Sequence, residues 1–403
     1  MRHIGTAGPQ GGRERSDCRV EIELADSGGI QISLESKVER LFGPAIRALA
    51  KAIFSACGQE HLRCNIQDLG ALDFALAARI EAALAAATGQ TSSWLPERKT
   101  RMPPATRRDR QRRTRLYLPG NRPNFFTNAA LHKPDAIILD LEDSVAPQVK
   151  DEARIMVRNA LRVVDFKASE RMVRINQLPM GLEDIDAVLP HGVDVIMLPK
   201  CEYAQQVVDV ASRVEAVRQE HDLQRPTYVL PIIESARGVL NALAIAESSD
   251  LVVAMALGIE DYTADIGATR SLGGDEAVFA RGMVLNAARA AGIQPLESVF
   301  SDVRDTAGLQ ATAARAKALG FVGMGCIHPR QVGPIHAAFA PSPEELEFAQ
   351  RVVTAYEEAT AKGLGAVALG SKMIDPPVVS RALQVTEAAE AAGLLDPDWR
   401  ETK

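Results

Sequence analysis

Aromatic residues are scarce in this chain of 403 residues, at 4% of the composition. With few rings to stack on bases and a net charge of −6, nucleic acid is not the expected main partner. No apolar run reaches the roughly 18 residues needed to cross a bilayer, which argues against a membrane protein. The polar N-terminus lacks the apolar core of a secretory signal. Cysteine is also sparse: Cys18, Cys57, Cys64, Cys201 and Cys326 are scattered, odd in number and in no metal-binding spacing. They read as reduced thiols of a cytoplasmic protein, not as a disulfide framework or a zinc site. What the chain does have is 46% hydrophobic residues over a length too great for one ordinary core, so more than one domain is expected.

The first domain is expected over residues 1–90. Residues 1–17, rich in glycine and charge, read as mobile. Cys18–Leu24 alternates apolar and charged residues, as does Ile30–Leu34 across the turn Ser27-Gly28-Gly29, so the two read as a hairpin. A helix is expected over Val38–Phe54, a third strand over Leu62–Gln67, and an Ala- and Leu-rich helix over Ala71–Ala87 with Arg79 and Glu81 on its polar side. The unit is a small α+β fold in which no residue looks catalytic.

Residues 91–114, with Pro96, Pro103 and Pro104, read as a linker. From 97 to 115 the segment carries a charge of +7, leaving −13 for the rest. No aromatic interleaves its basic residues, so a solvated linker, or one docked on an acidic surface, is preferred to a nucleic-acid arm.

From 115 to 340, eight apolar strand candidates alternate with helices: Arg115–Leu118, Ala136–Leu141, Met172–Ile175, Val193–Leu198, Tyr228–Ile233, Leu251–Leu257, Leu296–Phe300 and Phe321–Cys326. Continuous apolar runs suit strands buried on both faces, and strict alternation with helices predicts a parallel (β/α)8 TIM barrel. Residues 341–403 add a C-terminal helical segment. Each strand ends in polar or turn-forming residues, where barrels of this kind do chemistry. Glu234 ends strand five and Glu260-Asp261 follows strand six. Carboxylates side by side repel unless they share a cation or a proton, and Mg²⁺ is the expected occupant between Glu234 and Asp261. Arg174 ends strand three as a lone cation. It either pairs with Glu142 or Asp143 or binds an anionic substrate group. Asn176 and Lys200, from neighbouring strand ends, are expected beside it on a small oxoacid.

Two resemblances add to this reading. Asp68-Leu69-Gly70-Ala71-Leu72-Asp73-Phe74-Ala75-Leu76-Ala77-Ala78-Arg79-Ile80-Glu81-Ala82-Ala83-Leu84, with Val38–Gly43 and Ala45-Ile46-Arg47, resembles the citrate lyase acyl carrier protein (gamma subunit). In that family a serine within Ala-Gly-Thr-Leu-Glu-Ser-Ser/Gly-Asp carries a phosphoribosyl dephospho-CoA arm through a phosphodiester, which would make the chain a phosphoprotein. Here two residues are inserted, Arg15 takes the serine's place and Ser16 follows one position later, so Ser16 is the candidate attachment point. Arg115–Asn121, Leu139–Val145, Val173–Asn176, Leu198–Lys200, Ile233–Ser235, Leu257–Tyr262, His328–Gln331 and Gly370–Pro377 resemble the citrate lyase beta subunit, within the HpcH/HpaI aldolase and acyl-CoA lyase family.

The second resemblance implies Glu234 and Asp261 as metal ligands and Arg174 as the oxoacid site. It also implies that Asp375 closes over the site of a neighbouring subunit in a homo-oligomer, a trimer or hexamer. A citrate lyase alpha (acyl-exchange) subunit is the implied partner. The expected reaction is Mg²⁺-dependent cleavage of a citryl thioester to oxaloacetate and an acetyl thioester. The base is open among Glu142, Asp143 and a metal-bound hydroxide. The alternative is a lyase of free citryl-, malyl- or citramalyl-CoA whose carrier domain no longer carries.

Overall fold

The computed structural model describes residues 4–11, 14–91, 94–98, 102, 104–271, 273–361, 367–369, 372–391, 393–396 and 398–400. Lys99, Arg101 and Pro103 of the basic segment, and Gly370 and Ser371, lie outside the described residues. The chain divides into two units, Met1–Val332 and Gly333–Lys403.

The first unit opens with a four-stranded sheet of β1 (Ile4–Ala7), β2 (Cys18–Leu24), β3 (Ile30–Ser36) and β4 (Leu62–Asp68), in the order β1-β2-β4-β3. Two expectations change here. Residues 4–7 are not a mobile tail: they pair antiparallel with β2, from Ile4 opposite Glu23 to Ala7 opposite Val20. Strands β2 and β3 are not a hairpin. Both pair with β4, β2 antiparallel and β3 parallel, because the helix α1 (Glu39–Ala56) carries the chain across from β3 to β4. A short turn suggests a hairpin, but the parallel partner lies beyond that helix and local pattern does not reveal it.

The second helix, α2 (Asp73–Thr88), buries most of its circumference. Arg79 and Glu81, expected on a polar face, are buried. One side of α2 packs on β1 and β2 and the other on the barrel helix Lys150–Val163. A helix held between two layers has no solvent face, so its charges must find buried partners. Arg79 takes Asp17 (2.9 Å) and Glu152 (2.8 Å), and Arg158 of the barrel helix takes Glu81 (Nη1–Oε1 2.9 Å).

The barrel has eight parallel strands: β5 (Thr114–Pro119), β6 (Ala136–Asp140), β7 (Glu170–Arg174), β8 (Val195–Leu198), β9 (Tyr228–Ile233), β10 (Ala254–Leu257), β11 (Gln294–Leu296) and β12 (Met324–Cys326). The ladder runs β11-β10-β9-β8-β7-β6-β5-β12, and a bridge between Glu297 and Met324 joins its two ends. Strand seven ends at Leu296, not Phe300, so Glu297 and Ser298 follow it at the strand end. Ala136, Ile138, Met172, Val195, Met197, Leu230 and Ile232 fill the interior in alternate-residue layers.

The basic segment is docked, not solvated. It lies across the strand starts. Arg112 is fully buried and grips Glu170, the first residue of β7, through Nε and Nη2 at 2.8 Å each. Arg113 pairs with Asp135 just before β6, and Arg108 donates to the carbonyls of Asp250 and Val252. The barrel thus carries this segment at the end opposite the carboxylates.

The second unit holds the helices Pro343–Ala361 and Pro376–Ala391 and a two-stranded pair, Val367–Leu369 with Lys372–Ile374. The helices pack through Ala349, Val352, Val353, Val379 and Ala382. Among the described residues no helix is long and apolar enough to cross a membrane. No disulfide joins the cysteines, all five of which are described.

Candidate active site

A cavity of about 380 Å³ opens among the C-terminal strand ends. Its walls include Tyr117, Asp140, Asp143, Arg174, Glu234 and Asp261. Strand register builds its first wall. Asp140 ends β6 and Arg174 ends β7, and the two are direct neighbours across the parallel ladder. Arg174 Nε and Nη2 therefore meet both Asp140 oxygens at 2.7 Å. Nη1 lies 3.0 Å from Glu142, and the guanidinium rests 5.2 Å above the Tyr117 ring. Against burial, these bonds hold Asp140 below the ordinary carboxylate range, and the Ser144 side chain and the backbone amide of Glu142 assist. Arg174 was expected to pair with Glu142 or Asp143 or else to bind substrate. Its main partner is Asp140, which pattern alone did not single out.

The opposite wall is anionic. Glu234 is buried, and its Oε1 accepts from the Lys200 amide at 2.7 Å. Burial pushes its carboxyl up to about 8, and the charge of Asp261 adds to the shift. Gly258 precedes Asp261 by three residues, and a Cβ there would collide with the Glu234 carboxylate, so a side chain cannot stand between the two acids. Lys200 adopts a left-handed backbone (φ 47°), unusual outside glycine, and this turns its amide onto Glu234. Its ammonium reaches Glu142 (3.1 Å), Asp143 (3.3 Å) and Asp261 (3.9 Å).

The remaining expected residues fall as follows. Glu142 is buried behind Asp143, and burial raises its proton affinity despite Arg174 and Lys200. Asp143 lines the cavity; Glu142 does not. Asn176 is not on the cavity wall: its amide donates to Asp184 at 2.8 Å and pins the helix that follows β7. Its place after the strand end suggested a ligand, but buried Asp184 requires a donor and holds it. His328 accepts from the Arg330 amide at 3.1 Å as a helix cap. Asp375 lies in the second unit, where its carboxylate accepts from Val378 and caps the helix Pro376–Ala391. Ser16 donates its amide to Leu69 at 3.1 Å and is half-buried.

Residues 113–329 match the family described as HpcH/HpaI aldolase/citrate lyase. The chain belongs to that family. Residues 8–87 match a second family, described as malonate decarboxylase delta subunit (MdcD). The chain is 42% identical over 295 residues to citrate lyase subunit beta of Escherichia coli K12, spanning 72% of this chain and 97% of that protein. It is 33% identical over 283 residues to human mitochondrial citramalyl-CoA lyase, spanning 67% of this chain and 83% of that protein. Among solved structures it is similar to CitE from Mycobacterium tuberculosis in complex with magnesium, acetoacetate and coenzyme A. That match has a TM-score of 0.59 and 34% identity and covers 70% of this chain and 99% of that one. The relatives are carbon–carbon lyases, and the family makes this chain an enzyme of that kind.

The donor set fits Mg²⁺. Glu234, just past β9, and Asp261, in the short helix Ile259–Asp265 after β10, would offer hard oxygen donors, and among the described residues no third histidine, cysteine or acid converges to close a cage. Two carboxylates with room for water and substrate oxygens suit Mg²⁺ better than zinc.

Proposed function

We propose that the chain is a Mg²⁺-dependent lyase that cleaves a citryl thioester to oxaloacetate and an acetyl thioester, with its small domain as a fused acyl carrier. The observation that carries this reading is that Glu234 after β9, Asp261 in the helix after β10 and Arg174 at the end of β7 line one cavity. When bound between Glu234 and Asp261, Mg²⁺ supplies Lewis acidity to the substrate's hydroxyl and carboxylate oxygens. Asp140 holds one edge of the Arg174 fork and Glu142 lies 3.0 Å from Nη1, so one N–H on each of Nη1 and Nη2 is left for the oxoacid carboxylate. Lys200 stands at the rim and balances Glu142 and Asp143. Asp143 on the wall, or Glu142 behind it, takes the hydroxyl proton, a step worth about 10²–10⁴-fold. The carbon–carbon bond then breaks, its electron pair passes to the acetyl thioester carbon, and that carbon regains a proton.

Ser16 carries the arm in this reading, and its surroundings support it. Asp17 beside it is held by Arg79, which also donates to the Asn121 carbonyl just past the end of β5. Glu14 pairs with Arg122 at 2.6 Å. An arm at Ser16 would start beside the barrel's C-terminal rim. Asp375 acts from a neighbouring subunit of a homo-oligomer, an alpha subunit exchanges the acyl group, and the enzyme works in the cytoplasm.

Glu234→Gln or Asp261→Asn is expected to lower Mg²⁺-dependent oxaloacetate release from citryl-CoA by about 10³-fold or more with the fold intact. Near-normal rates in either variant would sink the metal assignment. Mixing Glu234→Gln with Asp375→Asn should restore part of the activity; no recovery in a mixed oligomer would remove Asp375 from the neighbouring site.

A second reading, a lyase of free CoA thioesters, is favoured by the insertion before Arg15-Ser16 and by the similarity to citramalyl-CoA lyase. Intact mass of protein from its own host separates the two. A phosphodiester-linked arm on Ser16 supports the carrier, and an unmodified chain with full turnover of free thioester supports the alternative.

A further inference from the structure

One cation inside the barrel is short of partners. Arg115 is the second residue of β5, two positions before Tyr117 on the same inward face, and it is 1% exposed. Its Nη2 donates to the Glu297 carbonyl at 3.0 Å, while the buried Nε and Nη1 have no hydrogen-bond partner. At least three of its five N–H bonds are thus unmet. The Glu297 carboxylate is already engaged: Oε2 accepts from Arg281 at 2.8 Å and Oε1 from the Ser298 amide at 2.9 Å. Arg112 and Arg113, the neighbouring cations of the segment, each have their own acid in Glu170 and Asp135. A guanidinium keeps its proton in proteins, and burying it unpaired is costly. The site is therefore built for an anion.

Its position says which one. Arg115 lines the same cavity as Arg174, Glu234 and Asp261. Its one partner, the Glu297 carbonyl, follows the end of β11, and the next hydroxyl, Ser298 Oγ, accepts from the Ile259 amide at 3.2 Å, two residues before Asp261. The guanidinium thus lies by the end of β11, next to the turn that supports the helix carrying Asp261.

We propose that Arg115 is a specificity-determining residue that takes the second carboxylate of a dicarboxylic oxoacid, so that the cavity selects oxaloacetate over monocarboxylic oxoacids. The proposal rests on the lyase reading above and deepens it. Citramalyl and malyl thioesters release monocarboxylates, which would leave Arg115 unpaired; a citryl thioester releases a dicarboxylate, which would not.

The test is calorimetric binding to the full chain with Mg²⁺, using oxaloacetate and 2-oxobutyrate, which has a methyl in place of the distal carboxylate. The wild type is expected to prefer oxaloacetate by about tenfold or more. Arg115→Met is expected to lose that preference and keep its affinity for 2-oxobutyrate. Its melting temperature without ligand should rise, because an unpaired buried charge has gone. Equal affinities in the wild type, which need no variant to measure, overturn the role of Arg115 and leave the lyase reading standing. A preference that survives in Arg115→Met does the same. A wild type that binds neither oxoacid overturns the lyase reading itself, and this proposal with it.

Discussion

The two ends of the barrel use the same charged residues to opposite effect. At the strand starts the buried acids Glu170 and Asp194 and the half-buried Asp135 each have an arginine: Glu170 has Arg112, Asp135 has Arg113, and Asp194 has Arg171 and Arg225. At the strand ends Asp140, Glu142, Asp143 and Asp261 form ion pairs with Arg174 and Lys200, while Glu234 accepts from the Lys200 backbone amide. Pairing at the first end closes the fold; excess negative charge at the second leaves a place for a metal ion. Charge count alone does not separate structure from function. The balance of partners does.

The largest effect that would sharpen this contrast is at the paired end. Arg112→Ala leaves Glu170 buried without its cation and should destabilise the protein by about 3–5 kcal/mol, read from urea denaturation. A loss under about 1 kcal/mol would show that the segment merely lies on the barrel. The next effect is pH dependence, where the two ends should act with opposite sign. His191, before β8, is pushed down to about 3, first by burial and then by Arg162, Arg158 and Arg98. The unfolded chain binds that proton near 6.5, so stability should fall as pH drops from 6.5 toward 3, by about 1.4 kcal/mol per unit. Glu234 is pushed up to about 8 from 4.5, so the folded, metal-free protein holds the extra proton and stability should fall as pH rises through that window, with a similar slope. His191→Gln should flatten the acid side and Glu234→Gln the alkaline side; unchanged slopes would refute the burial of these charges. The smallest effect is at Arg107, whose partner Asp109 is exposed. Arg107→Ala should leave the melting temperature unchanged, and a clear drop would show that exposed pairs also hold the segment.

Much of this was legible in sequence. The eight barrel strands and most of their helices follow from continuous apolar runs and alternation, which need only local pattern. Glu234 and Asp261 stood out because a carboxylate directly after a buried strand has few structural uses. The missed features share one cause: they depend on partners far along the chain. The pairing of β3 with β4 across α1, the burial of Arg79 and Glu81, and the Asp140–Arg174 fork each require a register or a layer that no local window contains. Arg115 was counted with the basic segment because it follows Arg112 and Arg113, although its spacing of two from Tyr117 already put it on the inward face.

The sequence by itself determined the element types, the barrel, the family and the acids at the strand ends, because these follow from periodicity and from residue types at fixed places. Tertiary structure alone decided which charges are neutralised. Arg112 and Arg115 are three residues apart on one strand entrance, yet one meets a carboxylate and the other is buried in the lining of the cavity, and only the neighbouring strands make that difference.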